Sequence, residues 1–387
     1  MLLNPHRFRN VVYTVFLALC TTAMAASQPM KIEQLWVANS GEVMEAAPIT
    51  VDLDGDGDLE VMTAAYEHLI VYDGNGKELW QFATSGRLCT YPAILERKGE
   101  SPLIYLGDGN SQFYCLDGRG KVKWQLKKTG RLSWSSPVIA DIDADGVMEV
   151  MQGDLSGSVQ VYDALTGVQK WETKIDGACS SPAVGDLDGD GKLEIVVSTN
   201  NGKVHALDHT GHLMWVKELG GTVGDWGTSS AVMFGSSAGD VRIVVGTRTN
   251  RFYCLDKNGE EIWSHPTRGP IASTISVGDF DRNGRADIFA VTQLGVIYRY
   301  DEDGRILWNI DMQGRSLASG AIIDVDDDGS LEYVICTQKG NLLVLNNSGD
   351  VVFSHQFPSR TINVTPAFGD IVRERPGIEL VVTGGES

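Results

Sequence analysis

From Lys31 onward the chain is written in short apolar runs parted by turn residues, and no window repeats its apolar positions at helical spacing. One stretch shows the unit. Ser181–Leu187 (SPAVGDL) alternates small and apolar residues, as a strand packed close to an axis requires. Asp188–Lys192 (DGDGK) is a turn, and Leu193–Thr199 (LEIVVST) is a β-branched second strand. The turn NNGK leads to a third strand, Lys203–Asp208 (KVHALD), and the tight turn HTGH to a fourth, Leu213–Leu219 (LMWVKEL).

The unit repeats. Trp36, Trp80, Trp124, Trp171, Trp215, Trp263 and Trp308 recur every 44 to 48 residues, and Phe353 takes the next place. A second series marks the inner strands: Pro48, Pro92, Pro137, Pro182, Ala231, Thr274, Gly320 and Pro366. Four short strands in each such repeat predict an all-β propeller. Sorting strands by type gives eight inner, eight second and eight outer strands, but seven third strands. The chain opens on an outer strand (IEQLWV) and closes after a second strand (IELVVTG). The two ends therefore share the last blade and close the ring, which removes free sheet edges. This predicts about eight blades in one domain over residues 26–387, the closing blade having three strands. Seven blades with extra terminal strands is the alternative count.

Residues 1–25 stand apart. Arg7 and Arg9 precede the apolar run Val11–Cys20, and Ala23-Met24-Ala25 offers small residues at a cut site, the layout of a secretory signal peptide. A lipoprotein cut before Cys20 ranks second, because bulky Leu19 stands where a small residue is wanted. The expected location is periplasmic, secreted or at the cell surface, compatible with the cell envelope. No later apolar run is long enough to cross a membrane. Beyond the leader, Cys89, Cys115, Cys179, Cys254 and Cys336 are odd in number and unpaired in spacing, so they read as buried apolar thiols. Removing Arg7 and Arg9 leaves 30 basic against 51 acidic residues, a net charge of −21. Such a chain repels nucleic acid and anionic membrane surfaces.

Much of the acid is concentrated in five turns between inner and second strands. They carry Asp52, Asp54, Asp56 and Glu60; Asp141, Asp143, Asp145 and Glu149; Asp186, Asp188, Asp190 and Glu194; Asp279, Asp281, Asn283 and Asp287; and Asp324, Asp326, Asp328 and Glu332. Carboxylates at alternate positions with a glycine at the bend are what a hard cation such as calcium asks of a loop. The seventh position (Asp58, Val147, Lys192, Arg285, Ser330) varies freely, as expected where only a backbone carbonyl binds. The last carboxylate comes at position nine, and no helices flank the loop. The reading is five structural Ca2+ ions. Repeats two, five and eight carry ERKGESP, GSSAGD and VRERPG instead, and repeats two and five share FYCLD.

The segments YDALTGVQKW, HALDHTGHLMW and YCLDKNGEEIW resemble the tryptophan-docking motif of pyrroloquinoline-quinone-type propellers, whose tryptophan packs between blades. DLDGDGDLE, DIDADGVME and DLDGDGKLE resemble the FG-GAP (VCBS-type) repeats of integrin α-subunits and bacterial relatives. Together the resemblances imply a propeller carrying calcium in its loops. Quinone-dependent dehydrogenases are longer and bind their cofactor beside adjacent cysteines, which this chain lacks, so no quinone is expected.

Other enzyme signals are thin. Gly235-Ser236-Ser237-Ala238-Gly239 fits G-x-S-x-G but falls in a strand-to-strand turn, not before a helix. His205, His209 and His212 have metal-like spacing, yet two of them sit in a tight turn. The links between blades carry Arg87, Arg131, Arg268, Arg315 and Arg360, each five or six residues before its inner-strand marker, with Tyr91, Trp134 and Trp226 in the same links. They would share the face opposite the acidic loops. Arginine binds carboxylates through two parallel bonds, which points to an anionic glycan or a carboxylate-bearing peptide; pairing with nearby acids is the competing role. The expected function is a non-catalytic scaffold binding a protein or anionic carbohydrate. A polysaccharide lyase is the alternative, and no residue stands out as its base.

Overall fold

The sorting of apolar positions by strand type is visible in three dimensions. The computed structural model describes residues 13–21 and 31–385, apart from 42–43, 45, 129, 133–134, 221–229, 236–239, 272, 358–361, 363, 374 and 376. Among these residues the strands form eight four-stranded antiparallel sheets, and no helix appears. Seven sheets are contiguous in sequence. Blade one is Ile49–Val51, Glu60–Ala65, His68–Tyr72 and Glu78–Ala83, and blade six is Ser276–Gly278, Asp287–Val291, Val296–Asp301 and Ile306–Asp311. Second and third strands are buried along most of their length, whereas outer strands such as Glu78–Ala83 alternate exposed and half-buried residues. Inner strands are only three residues long in most blades and half-buried throughout in several, as at Ser276–Gly278. Such short, small-residue strands fit the crowded axis of a propeller.

The core is not central. It is divided into eight buried clusters, each shared by two neighbouring blades. Leu69 and Val71 of blade one pack with Ile104 and Leu106 of blade two. Between blades six and seven, Phe289 stacks on Tyr333 with ring centroids 4.3 Å apart. Each such side chain, fully buried, is worth roughly 1.5–3 kcal/mol.

The tryptophan series locks these seams. Each indole N–H donates to a carbonyl in the last turn of the next blade: Trp80 to Gly118 (3.1 Å), Trp171 to His209 (2.9 Å), Trp215 to Lys257 (2.9 Å) and Trp308 to Asn347 (3.0 Å). In five of the seven docking turns the sequence is D-x-x-G, and the aspartate and the glycine each have a reason. Its aspartate accepts backbone N–H groups, as Asp73 does from Asn75 and Lys77. Its glycine lies under the ring; Gly304 has φ +84°, and a Cβ there would meet the Trp263 ring at 2.6 Å.

The closing blade joins Ala367–Gly369 and Glu379–Gly385 to Tyr13–Thr21 and Lys31–Asn39. The strand count expected three strands here, and the structure has four. Tyr13–Thr21 fills the third-strand slot, with Leu17 opposite both Trp36 and Val381. The apolar run that reads as a leader also satisfies the composition of a third strand. Residues 1–12 and 22–25 of that leader lie outside the described residues. Trp36 docks on Gly74 of blade one at 2.9 Å, and Val61 of blade one packs with Val381, so the ring closes.

Candidate metal centres

Local chemistry folds the five acidic turns alike. The first aspartate accepts two backbone N–H groups; Asp52 takes those of Gly55 (2.6 Å) and Gly57 (3.0 Å). The fifth residue caps the seventh, as Asp56 does for Asp58 (2.8 Å) and Asp190 for Lys192 (2.8 Å). The ninth carboxylate is buried and turns back on the second residue: Glu60 to Leu53 (2.7 Å), Glu194 to Leu187 (2.7 Å), Glu332 to Val325 (3.1 Å). Positions four and six need positive φ. Glycine always fills the sixth, but Ala144, Arg282 and Asp327 adopt φ 59°, 57° and 56° at the fourth. Non-glycine residues rarely hold that conformation, so the loop shape is imposed by its own hydrogen bonds.

These bonds leave one oxygen from positions one, three and nine converging in every loop, within 4.8 Å of one another: Asp52, Asp54 and Glu60; Asp141, Asp143 and Glu149; Asp186, Asp188 and Glu194; Asp279, Asp281 and Asp287; Asp324, Asp326 and Glu332. The fifth position, predicted as a ligand, stands outside these groups. Its side chain is used as the cap on the seventh N–H.

The five loops are not electrically equal. In loops one, four and seven the three converging carboxylates lack a close internal cation among the described residues; the nearest approaches are Arg282 to Asp324 at 3.9 Å and, at the rim, Arg373 to Asp58 at 3.5 Å. Burial, reinforced by the neighbouring aspartates, pushes Glu60 and Glu332 up to about 7, and raises Glu194. Asp326 is raised too, and its Oδ1 is buried without a hydrogen-bond partner. A divalent cation with oxygen preference fits these three sites.

Loops three and six differ. Lys170, from the outer strand of blade three, puts its ammonium 2.5 Å from Glu149, 3.1 Å from Asp143 and 3.8 Å from Asp145. In loop six the buried Arg299 lies 2.8 Å from Asp287 and 3.1 Å from Asp281. Neither cation was found from sequence. Lys170 gives no signal, being one more charge on an exposed strand. Arg299 gives one, because Val71, Val161, Ala206 and Val344 hold its place opposite the outer-strand tryptophan or phenylalanine in other blades.

The acidic loops and the turns before each tryptophan share a face, as expected. Lys192 of loop four reaches His209 at 3.1 Å, and Arg285 of loop six reaches Glu302 at 2.8 Å. The histidines do not converge on a metal: His205 is buried, while His212 is exposed beside Asp208. Cys115, Cys179 and Cys254 are unpaired thiols that burial pushes up to about 12, which makes them packing residues. Most of Gly235–Gly239 lies outside the described residues, as do Trp134, Trp226 and Arg360. Arg87, Arg131, Arg268 and Arg315 are exposed. The carbonyls of Arg87, Arg131 and Arg315 accept from Gly109, Leu155 and Gln338, which places them at the turns between second and third strands. Arg87 stacks 5.7 Å from the Tyr66 ring centre, and Arg268 lies 3.7 Å from Asp311.

Comparison with known proteins agrees with this construction. A family profile described as outer membrane protein assembly factor BamB matches residues 200–379, and one described as FG-GAP-like repeat matches 141–197. No curated protein sequence matches the chain. The crystal structure of BamB from Moraxella catarrhalis is similar at TM-score 0.53 and 15% identity, over 95% of this chain and 90% of that one. Sqt1 from Saccharomyces cerevisiae aligns at TM-score 0.63 and 12% identity over 93% and 88%. BBS1N, crystallised in complex with ARL6DN, aligns at 0.54 and 14% over 89% and 93%. No helix among the described residues is long and apolar enough to cross a membrane. The chain is a β-propeller whose repeats resemble those of BamB over residues 200–379 and FG-GAP-like repeats over residues 141–197.

Proposed function

We propose that the chain is an exported binding scaffold whose ring is stiffened by calcium in loops one, four and seven and whose opposite face recruits a protein partner. The observation that carries the reading is the convergence of three carboxylates in each of those loops, the one at position nine buried, with Arg282 beside Asp324 the one cation within 4 Å of them among the described residues. An ion there would hold inner strand, turn and second strand together without moving anything, the role of a structural site. Its ligands would be the converging oxygens of Asp52, Asp54 and Glu60, of Asp186, Asp188 and Glu194, and of Asp324, Asp326 and Glu332.

The partner side rests on three supports. The repeats resemble those of an assembly factor, BBS1N was crystallised with a protein bound, and Arg87, Arg131 and Arg315 are exposed at equivalent turns on the face away from the metal loops. A carboxylate-bearing surface, of a protein first and of an acidic glycan second, matches those guanidiniums. Export follows from the leader reading, with maturation after Ala25, which would take Tyr13–Thr21 out of the closing blade and leave that blade with three strands.

The deciding experiment is metal content of the purified mature protein, with its melting temperature before and after a chelator. Three calcium ions, a new amino terminus at Ala26 and a marked fall in melting temperature are expected. No bound metal together with no chelator effect would reduce the loops to solvated turns and remove the reading.

A further inference from the structure

Loop six carries three features that occur together in no other acidic loop. Position nine is Asp287 where the other four loops have glutamate, one methylene shorter. Position five is Asn283 where they have aspartate, so the loop has one negative charge fewer. Arg299, only 3% exposed, enters from the third strand of the same blade. Its Nε donates to Asp287 Oδ1 at 2.8 Å and its Nη2 to Asp281 Oδ2 at 3.1 Å. The guanidinium carbon lies 4.9 Å from the centre of the Phe280 ring.

We infer that Arg299 is the resident cation of loop six, holding the place a metal would take and tying that loop to blade seven. The shorter Asp287 makes room for the guanidinium fork, and the loss of one carboxylate matches a +1 rather than a +2 occupant. A buried guanidinium does not lose its proton, so the charge is permanent. It also spends donors on the metal's own oxygens: two of the three converging carboxylates of the loop, those of Asp281 and Asp287, are already bonded to it. The remaining reach goes across the seam. Nη1 donates to the carbonyl of Asn347 at 2.7 Å and to the side chain of the same residue. That carbonyl is the one on which Trp308 docks. A metal bound by the loop could not make this second contact. Loop six is therefore a coupling between blades, calcium-free at any concentration that fills its sisters.

The inference deepens the metal reading of the loops, and two measurements separate its failure from failure of that reading. The first counts ions by native mass spectrometry in saturating calcium. Asp54→Asn and Asp188→Asn each lose one ion relative to the parent chain, and Asp281→Asn loses none. One ion lost from Asp281→Asn overturns the inference. The second needs no metal and is a melting cycle in chelator. Asp281→Asn lowers the melting temperature in the parent, by breaking a bonded pair, and raises it in an Arg299→Met background, by relieving carboxylate repulsion. Equal shifts in the two backgrounds overturn the inference even where no loop binds calcium. Arg299→Gln, which removes the charge and keeps a donor, replaces Arg299→Met if that variant does not fold.

Discussion

Loops one and six, DLDGDGDLE and DFDRNGRAD, share the aspartates at positions one and three and the glycine at position six, and fold to the same turn. Each converges three carboxylates within 4.8 Å. Yet in loop one burial drives Glu60 up to about 7, whereas in loop six Arg299 is bonded to two of the carboxylates. What a loop can bind is thus decided outside the loop, by whichever residue the next strands deliver. The same division runs around the ring with a period of three blades. Blades one, four and seven carry loops without a close internal cation, blades three and six carry loops with a basic side chain, and blades two, five and eight have lost the motif.

The contrast can be broken most forcefully at Arg299. Removing one partner of a buried, bonded ion pair costs about 3–5 kcal/mol, so Arg299→Met lowers the melting temperature sharply in chelator, and calcium does not enlarge the loss. Asp188→Asn should behave in the opposite way. In calcium at a hundredfold excess over Kd it forfeits about 2.7 kcal/mol of ligand-linked stability, and in chelator it forfeits none. Melting curves of both variants under both conditions test the division directly, and matching calcium dependence would erase it.

Tryptophan docking sharpens the comparison further. Gly118 takes only the Trp80 indole among the bonds described, but Asn347 is served by Trp308 and Arg299 together. Trp80→Phe therefore leaves a carbonyl unsatisfied, at a cost of about 1–3 kcal/mol beyond lost packing. Trp308→Phe leaves its carbonyl bonded and should cost less. Urea midpoints for the pair measure the difference, and equal midpoints would mean that Arg299 does not share the seam. The smallest effect is expected at Lys170. Its ammonium is partly exposed, and such pairs contribute about 0–1 kcal/mol. Lys170→Met, matching Met214 at the residue before the next blade's tryptophan, should hardly change stability in chelator but should tighten calcium binding at loop three. Calorimetric titration reads that gain as one additional ion or a lower Kd.

The parts legible in the sequence are those set by neighbours in the chain. Turn chemistry placed the loops, because Asp52, Gly55, Gly57 and Glu60 act on one another across a few residues. The tryptophan period placed the blades for a similar reason, since each ring meets a turn one repeat ahead. Lys170 was invisible because its partners Asp143 and Glu149 lie on a different strand, and exposure alone explains a lysine there. At position five spacing alone does not separate a carboxylate aimed inward from one that caps a backbone N–H, as Asp56 does for Asp58. The closing blade reads two ways for a compositional reason: an apolar run such as Val15–Cys20 suits a leader and a third strand alike.

Ring closure also has a consequence in time. Val61 and Ile70 of blade one pack with Val381, whose strand is made more than 300 residues later. Contacts so distant in sequence form slowly and last. Until Glu379–Gly385 emerges, the growing chain is an open arc with two incompletely covered apolar flanks, the Val61–Ile70 side at one end and the Val334–Val344 side at the other. A chain stalled or clipped before that strand keeps both flanks exposed, and each flank is shaped to receive another blade. Incomplete copies are therefore built to stick to one another, and quality control would have to recognise the arc before a neighbour does.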